Sequence, residues 1–516
     1  MTTKISDAVQ ADQSLSDIRS NCRGLPPLDA HVEPWMAELL RSPQLHQHIQ
    51  RHNSPLNVVA TAPFARNVKN YRQVAESRGL DFEVYFARKS NKCLSLVQQA
   101  KEIDCGIDIA SLQELEQVLE AGFDADKVIC TAAIKTESLV ELCVGHGVVM
   151  AVDNLDELKR IIGVASALKQ NAMIAIRVSG FWYNGEKLFS RFGFDIDQAI
   201  KLVDEHFDSS FIKLIGVHFH LDGYCRWQRQ SAISQCLTFM DDLRSREHQI
   251  RFLDIGGGIP MNYLLSEDQW TNFWAQLELS LLEKQPPITY RNHGLGLMAT
   301  PAGVVGRPNS YPYYAADQEL IAVDETHGVT HQMRWLEAVL DSNFIQSRGQ
   351  HAEGASTDAD RTTLAQEIIN RDLQLRCEPG RSLLDGCGMT IARVEFCKQH
   401  HAGHWLIGLS MNHTQCRTSS ADFLVDPIVV HRAGERSVNQ KGSMRGYLVG
   451  AYCMESELIC KRLLEFESGI AVGDLVAFAN TAGYLMHFLE SRSHQFPLAS
   501  NLAIDSQGNL SQDAID

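Results

Sequence analysis

Between about residue 80 and residue 260, short β-branched runs alternate with amphipathic helical stretches, the pattern of parallel βα units. Seven runs read as strands: Phe82–Ala87, Cys105–Ala110, Lys127–Thr131, Val148–Val152, Ala172–Val178, Leu214–His220 and Arg251–Ile255. Leu373–Cys377 supplies an eighth. The segments between them carry helix signals. Ser111 is placed to cap a helix with Glu114 returning the bond, Leu112, Leu115, Val118 and Leu119 share one face, and Gly122 is placed to end it. Asn154 and Glu157 repeat the signal ahead of Leu158, Ile161 and Ile162. Eight parallel strands alternating with helices close most simply as an α/β (β/α)8 TIM barrel; an open, doubly wound sheet is the alternative.

The rhythm breaks between about 265 and 370, where Pro286–Pro287, the HGLGL run and an aromatic stretch read as an insertion before the eighth strand. After residue 387 short strands dominate, marking a second, β-rich domain. The expected division is an N-terminal segment, 1–61, partly joining the β domain, a barrel over 62–387 and a C-terminal β domain over 388–516.

A formal charge of −16 argues against nucleic acid as a partner. The N-terminus has neither a basic start with an apolar run nor a stretch able to span a bilayer, so a cytoplasmic protein with no membrane partner is expected. Thirteen cysteines are scattered without a C-x-x-C pair, as befits core residues in a reducing compartment. His400, His401 and His404 read as a turn between strands, not as a metal site.

Barrel chemistry gathers at the C-terminal strand ends. There the sequence places Lys89 after strand one, Asp108 in strand two, Arg177 in strand five and His220 at the end of strand six. Gly256, Gly257 and Gly258 follow strand seven, and Glu378 and Arg381 follow strand eight. Three glycines let backbone N–H groups approach an anion, and Arg381 adds a forked donor. A phosphate cradle, a lysine, an imidazole and a carboxylate together are what pyridoxal 5'-phosphate requires.

The chain resembles the fold type III decarboxylases of ornithine, arginine and diaminopimelate. FARKSNK (Phe86–Lys92) is similar to the family's Y-A-x-K-A-N segment, GIDIASLQEL (Gly106–Leu115) to G-x-D-x-A-S-x-x-E-L, and SRFG (Ser190–Gly193) to S-K-F-G. GVHFHLDG (Gly216–Gly223), FLDIGGGIP (Phe252–Pro260), EPGRSLL (Glu378–Leu384), GAYCMESELI (Gly450–Ile459) and GDLVAFANTAGY (Gly473–Tyr484) follow in the family's order. The resemblance implies an alanine racemase-like barrel with a β domain and a pyridoxal-phosphate-dependent carboxy-lyase. Lys89 would form the Schiff base, His220 stack on the ring and Glu378 meet the pyridine nitrogen. Asp108 and Arg177 would join the cofactor site, and the three glycines, Arg381 and Tyr484 would hold the phosphate. Cys453 would come from the partner subunit of a homodimer to protonate the carbanion.

Three departures bear on the substrate. Asp222–Gly223 stands where the family has Gly-Ser, Met454 stands where it grips a distal amine with an acid, and the segment from Gly258 to Glu378 is longer. Glu455 and Glu457 are the nearest replacement acids, and the insertion offers Arg291, His293, Arg307, Tyr311 and Tyr313 for a polar or carboxylated side chain. An amino-acid racemase and a non-catalytic binding relative are alternatives on the same fold. A metal-dependent hydrolase, suggested by His218-x-His220, would need ligands at later strand ends that the sequence does not identify.

Overall fold

The computed structural model describes residues 18–306, 310–311, 323–324, 328–329, 332–345, 362–417, 422–432 and 442–516. Eight parallel strands form the barrel: β1 (Phe82–Ala87), β2 (Gly106–Ile109), β3 (Val128–Cys130), β4 (Val149–Val152), β5 (Ala172–Ser179), β6 (Ile212–Phe219), β7 (Phe252–Asp254) and β8 (Gln374–Cys377). Each pairs with the next, and β8 returns to β1 through Leu375 opposite Phe82, so the sheet closes and the open-sheet alternative falls. Their sequence-predicted spans hold to within two residues at each end.

Closure follows from burial on both sides. Residues of β2, β3 and β4 are buried without alternation, and the helices between strands cover the outer face. Helix Leu112–Glu120 starts as the sequence indicates, with Ser111 accepting from the Glu114 N–H; Glu114, however, returns its bond to the Ala110 N–H (2.7 Å), one residue earlier than a capping box would place it. Asn154 accepts from the Glu157 N–H (2.9 Å), and the Glu157 carboxylate in turn receives Asp153 N–H and the buried Lys135 ammonium.

The second sheet is built on the long strand Gly388–Gln399, which lies antiparallel to Trp405–Leu409, to Leu475–Ala479 and to Leu56–Ala60 from ahead of the barrel. Leu56–Ala60 runs parallel to Ser500–Ile504, so a strand from ahead of the barrel and one from beyond it meet in this sheet.

The insertion divides its allegiance. Trp270, Phe273, Trp274 and Leu277 of helix Glu267–Leu281 pack into the core of the β sheet, whereas Trp335 and Leu336 of helix Gln332–Leu340 pack with the barrel. Helix Leu364–Asn370, within the span read as insertion, also belongs to the barrel core through Leu364 and Ile368.

Candidate active site

Lys89 sits in a 3-10 turn, Arg88–Ser90, directly after β1. Arg88, Ser90 and Asn91 are buried, while the Lys89 side chain is 36% exposed, into the cleft at the C-terminal end of the barrel. The turn is gripped from the β domain: Ser90 O accepts from Tyr484 N–H (2.7 Å), Asn91 Nδ2 donates to Ala482 O (3.0 Å), and His487 Nδ1 accepts from Lys92 N–H (3.3 Å). Lys89 Nζ lies 2.6 Å from Oδ2 of Asp108, whose other oxygen accepts from Thr131. Desolvation works against the ammonium, but Asp108, Glu378 and Tyr484 outweigh it and hold the amine above its ordinary range.

At the floor of the cleft stand His218 of β6, Asp254 of β7 and Glu378 after β8, all buried, with one ligand atom each within 4.8 Å of the others. Burial pushes both carboxyls up, Asp254 well above the carboxylate range, while Lys89 and Arg177 oppose the rise at Glu378. Burial thus favours a proton shared by the pair, and the cations beside Glu378 favour its anionic form over that of Asp254. Burial, with Arg177 nearby, holds His218 neutral. Among the described residues, Asp254 Oδ2 and His218 Nδ1 have no hydrogen-bond partner, and Glu378 Oε1 faces His218 Nε2, at 3.2 Å. These are the later-strand acids the sequence did not supply to His218, a correction to that reading. Two cations, Lys89 and Arg177, already face them. The second histidine of the H-x-H pair is elsewhere: His220 lies against the glycine loop, its Nδ1 3.2 Å from where a Cβ on Gly256 would stand. Burial and the neighbouring Arg229 keep that imidazole neutral.

Arg177 is buried beside Asp153 (3.5 Å), beneath the Phe192 ring at 4.2 Å. The SRFG segment thus serves as its lid, fixed where Gly193 N–H donates to Asp153 Oδ1 (2.9 Å). Arg177 therefore faces the carboxylate floor. The loop Gly256–Gly258 fits tightly: a Cβ would lie 2.6 Å from Phe219 O at Gly256, 2.7 Å from Glu378 O at Gly257 and 2.6 Å from Arg229 Nη2 at Gly258, and the first and last have φ of 64° and 78°. Arg381 donates to Tyr263 Oη (2.7 Å) and lies 5.3 Å from the Tyr484 ring, which crosses Gly380. Sequence reasoning missed Asp153, Thr131, Asp254, Arg229 and Tyr263. Asp254 alone had a signal, standing two residues ahead of the glycine loop in a strand end.

The loop of Cys453 is on the surface of the β domain. Cys453 and Glu455 are exposed, Met454 is 46% exposed, and Glu457 is buried, accepting from the His413 N–H (2.9 Å) and paired with the His413 ring. Glu457 is thereby removed as a free acid. Of the insertion residues, Arg291 and His293 are exposed; Arg307, Tyr313 and the side chain of Tyr311 lie outside the described residues. None of the thirteen cysteines is in a disulfide, and eleven are buried.

A buried carboxylate flanked by two cations suits a protonated ring nitrogen, a glycine loop without room for side chains suits a phosphate, and a cleft lysine suits an aldehyde. Together they define a pyridoxal-phosphate-binding barrel. The barrel is similar to that of the fold type III pyridoxal-phosphate-dependent decarboxylases, and pyridoxal phosphate is its cofactor. Residues 63–286 match the family described as pyridoxal-dependent decarboxylase, pyridoxal binding domain. The chain is 28% identical over 503 residues to an uncharacterized protein, y4yA, of Sinorhizobium fredii, covering 95% of this chain and 97% of that one. It is 25% identical over 228 residues to a diaminopimelate decarboxylase of Campylobacter jejuni, covering 42% and 56% respectively. A crystal structure of diaminopimelate decarboxylase from Helicobacter pylori, complexed with L-lysine, shares the fold with a TM-score of 0.64 at 17% identity, over 91% of this chain and 97% of that one. Among the described residues, no helix is long and apolar enough to cross a membrane.

Proposed function

We propose that the protein is a pyridoxal-phosphate-dependent carboxy-lyase, releasing CO2 from an amino acid or amino-acid conjugate as a cytoplasmic homodimer. The observation that carries this reading is Lys89, the one residue of a buried turn that opens to the cleft, held 2.6 Å from Asp108 and facing the buried Glu378. Bound there, pyridoxal phosphate supplies a sink for the electron pair left by a departing carboxylate. Lys89 would hold the cofactor by its aldehyde end, neutral His220 would face its ring, and Glu378, with Arg177 beside it, would hold a proton at the pyridine nitrogen. Gly256, Gly257, Gly258, Arg381 and Tyr484 would hold the phosphate.

Cys453 of the partner subunit returns a proton to the α-carbon. In support, Cys453 is exposed in the single chain, as are the apolar side chains of Met454, Phe488 (55%) and Leu489 (38%), which suit a covered surface. We assign residues 62–387 to cofactor binding, 388–516 to the β domain and 1–61 to a segment shared with it, of which Leu56–Ala60 is the joining strand.

The test is CO2 release from a panel of amino acids, with borohydride trapping and mapping of the modified lysine. CO2 release together with trapping at Lys89 is expected. Inversion of configuration without CO2 release would mark a racemase, and trapping at another lysine would refute the assignment of Lys89.

A further inference from the structure

We propose that Arg229 is a positioning residue for the cofactor phosphate: it grips the glycine loop from behind, turns the loop's amides toward the cleft, and sets a buried positive charge behind them. Arg229 belongs to helix Arg226–Ser245 and is 1% exposed. Its Nη1 donates to Ile255 O (2.7 Å) and its Nη2 to Gly257 O (2.9 Å), with Gly258 O at 3.4 Å. A trans peptide points its N–H opposite to its carbonyl. Drawing the carbonyls of Gly257 and Gly258 to the guanidinium therefore turns the N–H groups of Gly258 and Ile259 away from it. Among the described residues neither N–H has a protein acceptor.

The charge itself points to an anion. Among the described residues no carboxylate forms an ion pair with Arg229; the guanidinium rests between the rings of Phe219 and Trp335, at 5.6 and 5.5 Å. Burial lowers its pKa to about 10, which still leaves it charged at neutral pH. A buried cation answered only by carbonyl dipoles is costly unless a counter-charge arrives, and the phosphate of the cofactor at this loop is that counter-charge. The fork geometry explains why arginine stands here, since two carbonyls on successive turns of the loop need two donors held apart at a fixed angle.

The test compares cofactor-free full-length protein in its affinity for pyridoxal phosphate and for pyridoxal, which lacks the phosphate, by equilibrium dialysis. Arg229→Met should weaken pyridoxal phosphate by about tenfold or more, the size expected when hydrogen bonds to a charged group are lost, and leave pyridoxal unchanged. Arg229→Lys, which keeps the charge but not the fork, should show a smaller loss of the same selective kind. Where the methionine variant fails to fold, the lysine variant decides. A ratio of the two affinities equal to that of the wild type, whether because both ligands weaken together or because neither does, would overturn the proposal and leave Arg229 a purely structural staple.

Discussion

Oε1 of Glu378 lies 3.2 Å from Nε2 of His218 at the base of the barrel, both side chains buried, with Asp254, whose carboxyl burial pushes well up, completing the group. The arrangement separates two carboxyls by task. Gly256 N–H donates to Asp254 Oδ1 (2.8 Å), a bond that an amide in place of the acid can still accept. Glu378→Gln should lower kcat/KM by about 10²–10³-fold, as loss of a preorganised charge does, whereas Asp254→Asn should stay within about tenfold of the wild type. Steady-state kinetics on the accepted substrate would decide; equal losses in both variants would show that Asp254 is ionised too.

If Cys453 completes the site of the partner subunit, two inactive variants should rescue one another. In a mixed dimer of Lys89→Ala and Cys453→Ala chains, one of the two sites regains both residues. Random pairing should therefore return about a quarter of wild-type activity. The measurement is activity after mixing, with heterodimer content verified by differently tagged chains. Verified heterodimers without activity would contradict a shared site.

Substrate choice should follow from the loss of free acids near Met454. Glu457 is committed to His413, so a distal ammonium would find no buried counter-charge there, at a cost of several kcal/mol. Ornithine and lysine should thus be poor substrates beside amino acids with polar or carboxylated side chains. Rates across such a panel test this, and efficient turnover of ornithine or lysine would show that exposed Glu455 takes the acid's place.

Asp385 predicts a pH-dependent stability. It is buried between barrel and insertion, where Gln332 donates to it, and burial raises its carboxyl to about 6. A carboxyl whose folded value lies above its unfolded one contributes fully below about pH 4, and that contribution is lost as pH rises to 6, by up to about 3 kcal/mol. Asp385→Asn lacks this titration. The stability of the wild type relative to the variant should fall between pH 4.5 and 6.5 in denaturant titrations; a constant difference would exclude Asp385 as the cause.

The sequence by itself determined the barrel and the residues at its rim. Strand runs, N-caps such as Ser111 and Asn154, and the motif residues Lys89, Glu378 and Gly256–Gly258 are written in short stretches, because burial periodicity and turn chemistry act over a few neighbours. Tertiary structure alone decided what surrounds them. The turn carrying Lys89 is held by Ala482, Tyr484 and His487, some 390 residues away in the chain. Arg381 meets Tyr263 at the start of the insertion, Glu457 is spent on His413, and Arg229 reaches the glycine loop from an unremarked helix. Such contacts join side chains from separate segments whose nearness exists only after barrel and β sheet have packed, so no local spacing could record them.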